Sequence, residues 1–92
     1  MDEKIKMLSA VSEVVSFRKK NLLATDEEIL QHISKHIRKE KVRGRDTKLL
    51  MIAAASRTFE ISKKNPKLND KELWKLFVKE MPLIVKNIQK AE

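Results

Sequence analysis

One stretch of this chain occurs twice. Residues 19–28 read KKNLLATDEE, and residues 63–72, which lie 44 positions later, read KKNPKLNDKE. The similarity extends beyond this stretch, because residues 2–38 align with residues 46–82 without a gap and are identical at 11 of 37 positions. A gapless match of this length predicts an internal duplication, so the fold must contain the same supersecondary unit twice.

Each repeat unit has the pattern of two helices joined by a short turn. Apolar residues recur three or four positions apart, which is the spacing of one helical face. Asp2 and Asp46 are candidates for the N-cap of the first helix in each unit. The chain has one Gly and two Pro, which leaves few turns and favours long helices. The predicted helices cover residues 2–20, 26–41, 47–64 and 70–90, with a turn at 43–45.

The repeated stretch itself predicts a helix end followed by a helix start. Two lysines suit the negative C-terminal end of a helix. Asn21 and Asn65 follow them and are expected to adopt the left-handed conformation at C′. The second helix then begins with a capping box, in which Thr25 or Asn69 is the cap and Glu stands three residues later. The stretch therefore recurs because each unit needs the same turn.

These features predict an all-α fold, in which four helices form two duplicated helical hairpins. Two units are too few for a solenoid, so we expect a compact, bundle-like arrangement. The third helix is apolar on almost every side between Leu49 and Ala55 and is expected to be central and buried. Pro82 removes a hydrogen bond from the last helix and should kink or break it there. The expected organisation is one domain, residues 1–92, with repeat units 2–42 and 46–90.

The composition excludes several classes of function. Without cysteine the chain has no disulfide scaffold, thiolate metal site or cysteine nucleophile. The longest apolar run, residues 51–55, is too short to span a membrane, and the N-terminus lacks the pattern of a signal peptide. We therefore expect a cytoplasmic protein without membrane contact. Gly-rich phosphate loops and hydrolase motifs are absent from the sequence, so we expect no enzyme activity and no cofactor.

Two histidines lie four residues apart on the second predicted helix. His32 and His36 share one helical face with Glu28, and two His with a carboxylate can bind zinc. The second repeat unit has Leu76 at the position that corresponds to His32. This difference favours a partly packed or solvated histidine pair, and we expect no metal site.

The formal net charge of +8 makes nucleic acid, or another anionic surface, a candidate partner. The basic residues form two groups once they are placed on the predicted helices. The turn-edge group lies at the ends of the first and third helices. Its members would lie on one edge of the molecule if the hairpins pack side by side in parallel. The members of the turn-edge group are Arg18, Lys19, Lys20, Lys63, Lys64 and Lys67.

The second basic group, here called the inter-unit group, surrounds the Arg-Gly-Arg turn at residues 43–45. Arginines in such a turn suit contact with phosphate. Aromatic residues do not interleave with either group, so we expect contacts with the phosphate backbone and no base stacking. The alternative is a solvated surface that only keeps the helices soluble. The members of the inter-unit group are Arg38, Lys39, Lys41, Arg43, Arg45 and Lys48.

The last predicted helix has more apolar residues than one buried face needs. An exposed apolar patch usually marks an interface, and Trp is a frequent interface anchor. The alternative is that the single Trp belongs to the core. The candidate interface residues are Trp74, Val78, Met81, Leu83 and Val85.

Two classes of function remain open on the sequence. The first is a small basic helical binding module without catalysis, which associates with nucleic acid through phosphate contacts. The second is a homo-oligomeric protein–protein interaction module that uses the apolar surface of the last helix. The positive charge slightly favours the first class.

Overall fold

The computed structural model describes the backbone of residues 2–90 and the side chains of residues 3–88. Over these residues the chain is all-α, and the predicted helices are confirmed to within two residues at each end. None of the helices in this described part is long and apolar enough to cross a bilayer. The helices are α1 (Asp2–Lys20), α2 (Asp26–Lys39), α3 (Arg45–Lys64) and α4 (Asp70–Lys90).

Helix α3 is the centre of the fold. Helices α1, α2 and α4 all pack against it, and α1 also packs against α2. Ala54 and Ala55 of α3 are fully buried, and their small side chains leave room for neighbouring helices to approach closely. The prediction that the third helix is central is therefore confirmed, although Leu49 near its start remains 40% exposed.

The core consists of two clusters of buried side chains. The first lies between α1, α2 and α3, and the second lies between α1, α3 and α4. Helices α1 and α3 thus contribute to both clusters, whereas α2 and α4 each complete one. Many positions of one cluster correspond to positions of the other at the 44-residue offset: Ala10 to Ala54, Ile29 to Leu73, Ile33 to Phe77, Met51 to Met7, Ala55 to Val11 and Phe59 to Val15.

The two hairpin turns close with the same hydrogen bonds. Asn21 donates its backbone N–H and its side-chain amide to the carbonyl oxygen of Phe17, at 2.9 and 3.0 Å. Asn65 donates the same two groups to the carbonyl oxygen of Ile61, at 3.0 and 3.2 Å. Neither Asn has a positive φ, so the predicted left-handed conformation is wrong. The backbone N–H of each Asn bonds the terminal carbonyl group without a left-handed residue, and the side-chain amide adds a second hydrogen bond to it.

Both predicted capping boxes are confirmed. The backbone N–H of Glu28 donates to Thr25 Oγ1 at 3.2 Å, and the backbone N–H of Thr25 donates to Glu28 Oε1 at 3.0 Å. Asn69 and Glu72 form the same reciprocal pair at 2.8 and 3.1 Å. Each box satisfies two backbone N–H groups that the first turn of a helix leaves without partners.

The start of α3 differs from its predicted form. Gly44 is the N-cap, with a φ of 91° that L-residues rarely adopt. Asp46 therefore lies inside the first turn and its predicted role as N-cap is wrong. Its carboxylate is still well placed there, because the N-terminal end of a helix is positive. The matching prediction for Asp2 concerns a side chain outside the described residues.

Helix α2 ends two residues earlier than predicted. Lys41 adopts a φ of 53°, which ends the helix in a Schellman motif. The N–H of Lys41 donates to the carbonyl oxygen of Arg38 at 3.1 Å, and the N–H of Val42 donates to that of Ile37 at 3.3 Å. Val42 and Ile37 are both buried in the first core cluster. Burial of Val42 thus accompanies a backbone conformation that is unfavourable for Lys41.

Helix α4 continues through Pro82 to Lys90. The helix is therefore not broken at this proline, so one of the two expected outcomes, a break, does not occur. The other outcome, a kink near Pro82, stays a prediction.

Candidate nucleic-acid interface

The turn-edge group lies on one edge of the molecule, at the side-by-side ends of α1 and α3. The Nη2 of Arg18 donates to the carbonyl oxygen of Pro66, in the turn of the other unit, at 3.4 Å. Lys19 forms an ion pair with Asp70 at the start of α4. These contacts place the two hairpin turns next to each other.

A second ion pair crosses between the units at this edge. Lys63 at the end of α3 donates to Asp26 at the start of α2, with Nζ 2.7 Å from Oδ1. Lys63 corresponds to Lys19 at the 44-residue offset, and Asp26 corresponds to Asp70. The first lysine and the aspartate of the repeated stretch therefore have a shared structural role, in which Lys19 and Lys63 each pair with the aspartate of the other unit.

These contacts neutralise much of the positive charge of the turn-edge group. Lys64 also pairs with an acid, because its Nζ lies 3.2 Å from Glu60 Oε1. Three of the six members are thus paired, and a phosphate would have to compete with protein carboxylates for them. Exposed pairs of this kind add little to stability, but they make the edge a mixed-charge surface.

The inter-unit group has a different environment. Its six side chains are all exposed, and none of them forms an ion pair with an acid in the part of the chain that the structure describes. The group occupies the end of the fold opposite the hairpin turns. The start of α1 lies at the same end, because Lys6 Nζ is 4.0 Å from Glu40 Oε1 near the end of α2.

The start of α3 brings backbone N–H donors to this end, next to the carboxylate of Asp46. Gly44 has no side chain with which to cap the first N–H groups of the helix. These groups carry the partial positive charge of the helix dipole. Arg43 and Arg45 flank this N-cap in the sequence, so side-chain and backbone donors of the same sign are adjacent.

A third set of basic residues, missed by the sequence reasoning, lies on the outer face of α4. Lys71, Lys75 and Lys79 are exposed, and we call them the α4 lysine row. Together with Trp74, Leu76 and Val78 they line a shallow and wide-open depression on α4, here called the α4 pit. The four-residue spacing of the lysines could have revealed the row, since residues i, i+4 and i+8 share a helical face.

The candidate interface residues of α4 divide into two sets. Trp74, Met81 and Val85 are partly buried and pack against the second core cluster. Val78 and Leu83 remain 49% and 60% exposed. The apolar surplus of the last helix is thus smaller than the sequence suggests, because a broad face of α4 packs within the chain.

The histidine pair belongs to a network between α1 and α2. Ser9 Oγ lies 2.9 Å from His36 Nε2, and Glu13 Oε1 lies 3.5 Å from His36 Nδ1 and 3.4 Å from His32 Nε2. The ring of Phe17 stacks on His32, with centroids 4.4 Å apart. Both histidines are half-buried. The pair is therefore partly packed, as expected.

This network has the order of a Ser–His–carboxylate triad. Catalysis of acyl transfer also needs N–H donors aimed at the oxyanion. Ser9 lies within α1, where backbone N–H groups are used for helical hydrogen bonds. The backbone N–H groups next to Ser9 are therefore not available as oxyanion donors. In the described part of the chain, no three His, Asp or Glu side chains are placed to hold a metal ion.

A bidentate ion pair joins α3 to α4. The Nε of Arg57 donates to Glu80 Oε1 at 2.5 Å, and its Nη2 donates to Oε2 at 3.0 Å. The hydrogen bond to Glu80 raises the pKa of Arg57 above its ordinary value. Position 57 corresponds to Glu13 and position 80 to His36 at the 44-residue offset. A polar contact therefore joins the same two positions in both hairpins, with different chemistry.

Comparisons of the chain with models of protein families, with curated proteins and with solved structures found no match.

Proposed function

We propose that this chain is a small basic binding module that associates with nucleic acid through phosphate contacts and acts without catalysis. The inter-unit group is the observation that carries the proposal. Its six basic side chains are exposed at one end of the fold and have no acidic partner among the described residues. A phosphate can therefore approach them without displacing a protein carboxylate.

The expected mode of binding follows from the kind of donors at this end. Lysine and arginine that contact phosphates release condensed counterions, which makes affinity depend steeply on salt. Such contacts position a protein on nucleic acid but carry no sequence information. The module should therefore bind many sequences with similar affinity. The turn-edge group should contribute less, because three of its members are already paired with acids.

The experiment is a titration of duplex DNA, followed by fluorescence anisotropy, at several salt concentrations. If all six side chains of the inter-unit group contact phosphates, the logarithm of affinity should fall with the logarithm of salt with a slope of about −5.4, or −0.9 for each contact. Affinity would then drop roughly 2,000-fold between about 50 and 200 mM salt. Replacing Arg43 and Arg45 with alanine should lower the slope by about two units and weaken binding on all sequences alike.

The double variant Lys20→Ala/Lys67→Ala is the matched control, since it removes the same charge from the turn edge. It should change the slope much less than the arginine variant. Absence of duplex DNA or RNA binding by the unaltered chain at about 50 mM salt would show that the proposal is wrong. Equal effects of the two variants would show that the net charge, and no particular site, governs binding.

We also infer that the two units are a duplicated helical hairpin. The inference is supported by the corresponding core positions, the shared hydrogen bonds of the turns and the exchanged Lys–Asp pairs. The units differ in how their second helices pack. Helix α2 packs against both α1 and α3, whereas α4 packs against α3 and has sparse contact with α1.

A second candidate function is a homo-oligomeric or other protein–protein interaction module. Val78 and Leu83 on α4 are the exposed part of the predicted interface. Two further apolar side chains favour this candidate, because Leu22 and Leu23 in the first hairpin turn are 82% and 95% exposed. Neighbouring exposed leucines are unfavourable in water unless a partner covers them.

A further inference from the structure

The pit on the outer face of α4 combines positive charge with an aromatic ring. All six residues that line it belong to α4, and three of them are the lysines of the α4 lysine row. Four helical residues span about 6 Å, so successive lysines follow one another at that interval along the surface. None of these lysines forms an ion pair with a described acidic side chain.

Trp74 is the only tryptophan of the chain. It packs against the second core cluster and also lines the pit. Its packing limits the freedom of the ring before any ligand binds, which lowers the entropic cost of binding. Proteins that bind single-stranded nucleic acids combine a basic surface with aromatic side chains. The bases stack on these side chains, because every base has a face that can stack.

We propose that the α4 pit binds single-stranded nucleic acid, with a base stacked on Trp74 and phosphates of the same strand at the lysine row. The proposal rests on the proposed function, since it assumes that the chain binds nucleic acid. The α4 pit would be a second binding surface, and base stacking would be a second kind of contact beside the phosphate contacts. The inter-unit group offers charge alone, whereas the pit offers charge together with a stacking surface.

An acidic peptide would also meet the lysine row, but the shape of the pit disfavours it. Peptide helices dock into grooves that have walls on both sides. The pit is lined by one helix only, so it lacks a second wall for an apolar peptide face. A base needs only one flat aromatic surface. The observations therefore favour a single strand.

The test measures the fluorescence of Trp74 in the full chain, which has no other Trp. The probes are oligothymidylate of about ten nucleotides and an abasic strand with the same number of phosphates. Oligothymidylate should change the Trp74 emission and bind at least about fivefold more tightly than the abasic strand. Stacking of one base on an aromatic side chain contributes about fivefold to 150-fold in affinity. Equal affinity for the two strands, with no change in emission, would overturn the proposal.

The triple variant Lys71→Gln/Lys75→Gln/Lys79→Gln tests the charged part of the pit. It should weaken oligothymidylate binding and lower the salt slope by about two units, since single strands contribute about 0.7 per contact. The matched control replaces three exposed lysines of the turn edge, Lys20, Lys64 and Lys67, with Gln and should leave the Trp74 response in place. Equal losses of affinity and of the Trp74 response in both variants would overturn the proposal.

Two comparisons separate the possible failures. If polyglutamate displaces oligothymidylate equally well at the same charge concentration, the pit recognises acidic chains in general and the stacking proposal falls. If duplex binding depends on Arg43 and Arg45 but no single strand changes the Trp74 emission, the α4 proposal falls and the proposed function stands. If neither nucleic acid binds at about 50 mM salt, both fall.

Discussion

Lys41 holds a backbone conformation that its side chain disfavours, and this makes a sharp prediction about stability. Its φ of 53° places an L-residue in the left-handed region at the C-terminal end of α2. The conformation is needed because the N–H of Val42 must reach the carbonyl oxygen of Ile37 while Val42 enters the core. Replacing Lys41 with Gly removes the strain and keeps these contacts.

The magnitude follows from two opposing terms. An L-residue in the left-handed conformation costs about 1–2 kcal/mol relative to the usual helical one. Glycine increases the conformational entropy of the unfolded chain, which costs about 0.4–1 kcal/mol. The net effect of Lys41→Gly should be a stabilisation of about 1 kcal/mol, or an increase in Tm of about 4–8 °C for a domain of this size.

The assay is thermal and urea unfolding, followed by circular dichroism at several protein concentrations. Lys41→Ala is the matched control, because it removes the same charge and retains the Cβ atom that causes the strain. Lys39→Gly, two residues earlier at the last helical position of α2, should instead lose up to about 1 kcal/mol, which is the cost of Gly in a helix interior. If Lys41→Gly is no more stable than Lys41→Ala, the left-handed conformation at this position is not a source of strain and the reasoning is refuted.

Three further predictions concern the caps, the assembly and the symmetry. Thr25→Ala and Asn69→Ala should each lower the free energy of unfolding, measured with urea, by about 1 kcal/mol. If one of the two variants has no effect, the two caps are not equivalent. Light scattering at high protein concentration should detect self-association that buries part of Trp74, Val78, Leu83 or Val85, and a strict monomer there would count against the second candidate function. In a crystal structure, residues 2–38 and 46–82 should superpose as helical hairpins, with the deviation concentrated after Met81, whereas different hairpin geometries would contradict the duplication.

Local interactions made the helices predictable from the sequence. The capping boxes at Thr25 and Asn69 involve residues three positions apart, so the pattern alone locates them. The helix ends were harder, because several local solutions differ little in energy. Asn21 and Asn65 end their helices with a side-chain hydrogen bond where a left-handed turn was expected. Lys41 adopts the left-handed conformation that Gly usually supplies.

The sequence determined how many basic residues the chain has, but only the tertiary structure decided which of them form ion pairs with acidic side chains. Lys63 is neutralised by Asp26, which lies 37 residues away in the chain. Sequence spacing cannot reveal such a pair, because it forms only when the two hairpin turns lie side by side. The same is true of Trp74, whose exposure depends on how α4 packs against the second core cluster. Burial and ion pairing depend on which surfaces meet in the fold, whereas helix formation depends mainly on neighbours along the chain.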